Sequence, residues 1–100
     1  IGEKNLDSNH YLDGNVATDN ETMFGGYDWD YVKLALRPCL QDYPGSKLNR
    51  DEDWSFGSAH VGITNFVFCD GSVHKIQNSM DLSIHQSLAN RADGNVVTLP

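Results

Sequence analysis

Positive charge is what this chain has least of. Seven Lys and Arg stand against fourteen Asp and Glu, for a net charge of −7 and a pI near 4.7. Phosphate recognition needs clustered cations, so a nucleic-acid partner is excluded, and an anionic membrane surface is disfavoured for the same reason. No apolar run approaches the ~20 residues that span a bilayer, and no signal-peptide pattern is present. The two cysteines, Cys39 and Cys69, allow one disulfide. The sequence leaves open whether they are joined or serve as two small hydrophobes. His10, His60, His74 and His85 lack the i, i+4 or Cys-X2-Cys spacing of a zinc site. No Gly-X-Ser-X-Gly elbow, Walker loop or dinucleotide fingerprint occurs. Nothing here leads us to expect an enzyme.

What is present is a hairpin. Ile63, Thr64, Phe66, Val67 and Phe68 are β-branched or aromatic, which suits a pleated surface. Asp70-Gly71 follows, and Val73 to Ile76 returns. Asp-Gly between such runs marks a tight turn, since a type I′ turn needs φ > 0 at both central residues. A two-residue turn predicts Phe68 opposite Val73, Val67 opposite His74, Phe66 opposite Lys75 and Asn65 opposite Ile76. Phe66, Phe68 and Val73 then share the face expected to be more deeply buried. Val67, Cys69 and Ile76 share the other with Asn65 and His74.

Around the hairpin lie polar stretches and two further elements. Residues 1–6 read as a short strand. Asp7 to Gly26 reads as a long polar loop, with a helical turn near Asn20 to Phe24. Tyr27 to Leu36 alternates as a strand whose apolar face switches sides near Tyr31, so a bulge is expected before Arg37-Pro38 ends it. Gln41 to Trp54 is a second polar segment. Met80, Ile84 and Leu88 recur at helical spacing, predicting a helix over Ser79–Arg91. Ser79 or Asp81 suits its N-cap, and Gly94 a left-handed cap beyond its end. Val96 and Val97 suit a last edge strand. The expected fold is α+β: an antiparallel sheet with long polar loops and one packed C-terminal helix.

His60 and Asp70 invite an acid–base reading, but ten extended residues at ~3.3 Å each place them up to about 30 Å apart. Asp70 is explained by the turn, and His60 by a hydrogen bond to a neighbouring loop. His74 and His85 are expected to be solvated or hydrogen-bonded. Asp19, Glu21, Asp28 and Asp30 flank Gly25-Gly26, and calcium takes six to eight oxygens from such loops. Against that stands a solvated acidic surface in which Asp and Asn serve turns. Trp29, Trp54, Tyr27 and Tyr43 near the acidic loops suggest a rival class, a calcium-dependent or carbohydrate-binding module.

The stretch GSAHVGITNFVFCDGSV carries a His-X9-Asp-Gly pattern, with His60, Asn65, Asp70 and Gly71 as its markers. With Gly2-Glu3-Lys4-Asn5-Leu6, Asp19-Asn20-Glu21, Gly26-Tyr27-Asp28-Trp29-Asp30 and Leu88 to Gly94, it resembles the C-terminal, processing-associated domain of a bacterial prepilin-type family. The resemblance covers most of the chain, but the family's N-terminal hydrophobic helix and the first part of its globular domain have no counterpart here. It implies a pilin-like globular domain, with residues 1–100 a single domain forming the C-terminal part of something longer. It also implies an exported structural subunit in an envelope or extracellular filament, with those four residues as structural markers. Calcium ordering a loop through Asp19, Glu21, Asp28 and Asp30 is reasonable on the same grounds. With so much of the chain in polar loops, an apolar face or open strand edge is expected to be covered by an N-terminal segment or a neighbouring subunit, in an interface exceeding ~800 Å² per chain.

Overall fold

The structure is a computed structural model that describes residues 1–14, 32–44 and 54–99. Its centre is the expected hairpin. Strands β3 (Ile63–Val67) and β4 (Val73–Gln77) pair antiparallel. Their register differs from the expected one by a residue: Val67 faces Val73, Phe66 faces His74 and Thr64 faces Ile76. The turn is the cause. Gly71 N–H donates to the Phe68 carbonyl at 2.9 Å, and Phe68 N–H donates to that of Ser72 at 2.9 Å. Cys69, Asp70 and Gly71 therefore form a three-residue loop with the positive φ, 84°, on Gly71. Such a loop closes a hairpin as a type I turn followed by a left-handed residue. A slip of one residue exchanges the faces of the returning strand. His74 and Ile76 consequently lie inward with Thr64 and Phe66. Val73 turns outward beside Val67 and is 67% exposed. The face carrying Phe66 is the buried one, as expected, but Val73 does not belong to it.

The first residues extend this layer. Gly2 bridges Phe66 and Lys4 bridges Phe56, both antiparallel. Glu3 N–H donates to the Asn65 carbonyl at 3.2 Å, and Gly57 N–H donates to the Glu3 carbonyl at 3.1 Å. The short extended segment expected at 1–6 thus lies between the hairpin and a second small sheet. That sheet pairs β1 (Leu40–Gln41) with β2 (Gly57–Ser58) in parallel. The pairing is close: a Cβ on Gly57 would overlap the Leu40 carbonyl oxygen and lie 2.6 Å from Asn5 Cβ. Only glycine admits that approach.

The strand expected over Tyr27–Leu36 is not formed in its described half. Residues 27–31 lie outside the described residues. Of 32–36, only Leu34 pairs, through a bridge to Ser55 in which its N–H donates to the Trp54 carbonyl at 2.7 Å. The chain bends at 35–37 ahead of Pro38, leaving Leu36 exposed. Of the expected loop from Asp7, the part to Gly14 is a series of turns, starting with Asp7 Oδ1 accepting from Asn9 N–H at 2.9 Å. The helical turn expected near Asn20 lies outside the described residues.

Helix α1 (Leu82–Ala89) is shorter than Ser79–Arg91. Asp81 caps it, its Oδ1 accepting from Ser83 N–H at 2.8 Å, which satisfies one of the open donors of the first turn. Asn90 ends it in extended backbone, so Gly94, with φ 71°, bends the tail beyond and does not cap the helix. Arg91 likewise falls outside the last turn. Val96 and Val97 form no strand, and Val96 is exposed. Together the helix and the antiparallel hairpin make a small α+β fold.

Candidate functional site

Of the four marker residues, none lines up a reaction. The carboxylate of Glu3 accepts from Asn65 N–H at 2.7 Å through Oε2, and its Oε1 lies 3.5 Å from His60 Nε2. His60 is exposed, and its own N–H donates to Ser58 Oγ at 3.1 Å. The expected hydrogen bond from His60 to a loop carbonyl is replaced by this approach to Glu3. Asp70 Oδ1 accepts from Ser72 N–H at 2.9 Å and from Ser72 Oγ at 2.6 Å, and the hydroxyl bond foremost holds its carboxyl below the ordinary range. Gly71 supplies the positive φ of the same loop.

Asp70, Ser72 and His74 form a connected chain, because Ser72 Oγ also lies 2.7 Å from His74 Nε2. It has the residue types of a nucleophilic triad but not the order. The Ser72 proton is directed to Asp70, so His74 donates to the hydroxyl and does not draw a proton from it. In a triad the acid orients the histidine, and the histidine takes the serine proton. Here the chain locks the turn. His74 is hydrogen-bonded, as expected, and packs on Phe68 with ring centroids 4.3 Å apart.

His85 departs from expectation. It is neither solvated nor, at Nε2, hydrogen-bonded among the described residues, and it is 5% exposed. Its ring stands edge-on to Phe56 and Phe66, at centroid distances of 6.1 and 6.2 Å, and those two rings lie 5.1 Å apart. Burial lowers its pKa, so the ring is neutral at pH 7. His85 is the only fully buried residue of α1, while Ile84 and Leu88, expected to be buried, are half-buried. A one-residue offset from the Met80, Ile84, Leu88 stripe is all the sequence shows of this role.

Beside this cluster a cleft of about 470 Å³ opens between hairpin and helix. Phe56, Phe66, Phe68, Ile76 and Leu88 supply its apolar wall, with His85 in the lining. Its charged lining side chains among the described residues are Lys33 and Arg91.

Cys39 and Cys69, whose joining the sequence left open, are free thiols: Cys39 is buried and Cys69 is exposed on the turn loop. The one-residue register change carries Cys69 into that loop. Burial raises the Cys39 pKa, partly offset by a hydrogen bond with Thr64. Asp19, Glu21, Asp28 and Asp30 lie outside the described residues, as do Tyr27 and Trp29. Among the described residues no cluster of His, Cys, Asp or Glu is arranged to hold a metal. Trp54 and Tyr43 are half-buried. His10 Nδ1 lies 2.7 Å from Asp13, and that hydrogen bond raises its pKa.

Fold and site together define a small α+β domain whose motif residues secure backbone and whose cleft is apolar. Residues 2–83 match the family model described as "Protein of unknown function (DUF1559)", and the chain belongs to that family. No curated protein and no solved structure matches the chain.

Proposed function

We propose that this domain is the globular part of an exported, prepilin-type subunit, pilin- or pseudopilin-like, that assembles with its neighbours into an envelope or extracellular filament. The His-X9-Asp-Gly resemblance is the origin of this reading. The observation that carries it is the outer face of the hairpin. Val67 and Val73 stand opposite each other there at 40% and 67% exposure, and Val61, before the other end of β3, is 83% exposed. Among the described residues the far edge of β4 has no strand beside it. An exposed apolar strand next to an open edge is a template for pairing with another chain. The marker residues fit a structural role, since His60, Asn65, Asp70 and Gly71 all serve the hairpin or its contact with the first segment. The reading assigns no catalysis and no nucleic-acid partner.

Its test is Val67→Lys with Val73→Lys. Val73 faces solvent, and Val67 also borders the cleft, so melting should fall by no more than about 1 kcal/mol. Incorporation into filaments sheared from the native cell surface should be lost. Equal recovery of the variant in sheared material would overturn the reading, as would absence of the unaltered chain from it.

A further inference from the structure

The two edges of the hairpin differ. Phe68 N–H donates to the Ser72 carbonyl and Asn78 N–H to the Gly62 carbonyl, each at 2.9 Å, at the two ends of the ladder. Antiparallel pairs alternate between bonded and non-bonded, so Thr64–Ile76 and Phe66–His74 are bonded pairs. Asn65 and Val67 then direct their backbone groups away from β4, and the first residues meet them. The Asn65 carbonyl accepts from Glu3 N–H at 3.2 Å, and Val67 N–H donates to the Ile1 carbonyl at 2.7 Å. Val73 and Lys75 direct theirs away from β3, as Gln77 does its N–H, and among the described residues no backbone partner meets them.

The chain also holds a strand-former without a strand. Val96, Val97, Thr98 and Leu99 are three β-branched residues and a leucine, a composition that suits a pleated ladder, yet they form none. Val96 is 99% exposed, and no backbone group of 96–99 is hydrogen-bonded among the described residues. Asn95, just before them, is tied to the helix, its Nδ2 donating to Ser87 Oγ at 3.3 Å.

We propose that Val96–Leu99 of one copy adds as a strand to the β4 edge of a second copy. The lengths agree: four residues at ~3.3 Å each span about 13 Å, and the five of β4 about 16 Å. Main-chain bonds supply the attachment in such strand addition. Charge selects the occupant. The tail is uncharged and lies beside Lys75 without conflict, whereas β4 paired with β4 about its middle would set two lysines opposite each other, which is destabilising. Tail and edge are different surfaces, and each copy offers one of each. A head-to-tail contact of this kind propagates into a fibre unless its rotation closes a ring. The proposal rests on the filament reading above and gives it a contact.

The experiment is sedimentation of the purified chain. Its mass should rise with concentration. Val96→Pro with Val97→Pro should stay monomeric and melt unchanged, because proline removes ladder donors from residues that pair with nothing in a single copy. Lys75→Pro closes the edge instead; the Lys75 N–H lies outside the β3–β4 ladder, where proline is admitted. Each variant alone should be monomeric. Mixed, the two should form a heterodimer and nothing larger, since one brings the open edge and the other the free tail. In the unaltered chain, exchange of the Val73 and Lys75 amides should slow about tenfold or more from dilute to concentrated solution, which keeps the test decisive should Lys75→Pro fail to fold. Assembly of the tail variant like the unaltered chain, a chain monomeric at every concentration, a mixture of folded variants that stays monomeric, or edge amides that exchange alike at both concentrations would overturn the proposal. The filament reading fails separately, by absence of the unaltered chain from sheared filaments.

Discussion

The hairpin and the helix are adjacent in sequence but are held by different physics. The hairpin is fixed through its backbone. β3 pairs with β4 on one side and meets Gly2 on the other. Glu3 reinforces the contact from its side chain, and Thr64 Oγ1, on a residue with no exposed surface, bonds Asn78 Oδ1 at 2.8 Å. The helix has a cap at Asp81 and one buried side chain, His85. Many directional bonds make a region hard to open locally, while one packed ring leaves it near the low end of local stability. The difference teaches that the hairpin sets the fold and the helix is a wall laid against it.

Five substitutions and a pH change would break or sharpen that contrast. The largest effect is expected at Gly57. Gly57→Ala places a Cβ against the Leu40 carbonyl oxygen, which is backbone and cannot turn aside. It should lower stability by about 3 kcal/mol or more in denaturant titrations, the upper end for overpacking. His85→Ala comes next, at about 1–3 kcal/mol. A ring-sized cavity costs more than that, but the unmet Nε2 is removed with the ring. His85→Phe should then be neutral or stabilising, and a loss on the scale of the alanine variant would show that Nε2 has a partner. Gly71→Val should cost about 1–3 kcal/mol, because φ is 84° there and a β-branched residue is strained in that region. Nothing lies within 4 Å of its Cβ position, so the cost is backbone alone. Asp81→Ala should cost about 1 kcal/mol, seen as faster hydrogen exchange in Leu82–Ala89 with the hairpin amides unchanged.

Acid should separate the two regions in order. The folded-state pKa of His85 lies below its unfolded value of about 6.5. The unfolded chain therefore binds more protons just below that pH. The His85 contribution is complete above pH 6.5 and is lost as pH falls through the lowered folded value. Asp70 and Asp81 are depressed carboxylates that lose theirs only in stronger acid, below about pH 4. Hydrogen exchange should show the helix loosening between pH 6.5 and 5 while the hairpin stays protected. Simultaneous loss would mean that the two form one cooperative unit.

How much of this was legible follows the same division. Ile63–Val67, the Asp-Gly signal and the stripe Met80, Ile84, Leu88 placed the hairpin and the helix, because both obey a period. The register was not legible, since Asp-Gly suits a two-residue and a three-residue loop alike, and only the closed structure chooses. β1 and β2 are two residues each, too short to carry any alternation. His85 was misread because a helical histidine counts as polar in any periodic reading. Its burial is decided by Phe56, some thirty residues earlier in the chain. The cleft follows from those two residues and was equally hidden.

The buried residues themselves have a calorimetric consequence. Among the described residues the fully buried side chains include Asn5, Asp7, Ser55, Ser58, Thr64 and His85, against Cys39 and Ile76 as the buried hydrophobes. Exposing apolar surface on unfolding raises the heat capacity, and exposing polar surface lowers it. An interior of amides, hydroxyls and a carboxylate therefore flattens the curve of stability against temperature. As far as the described residues make the interior, the domain resists cold better than a hydrocarbon interior of the same size.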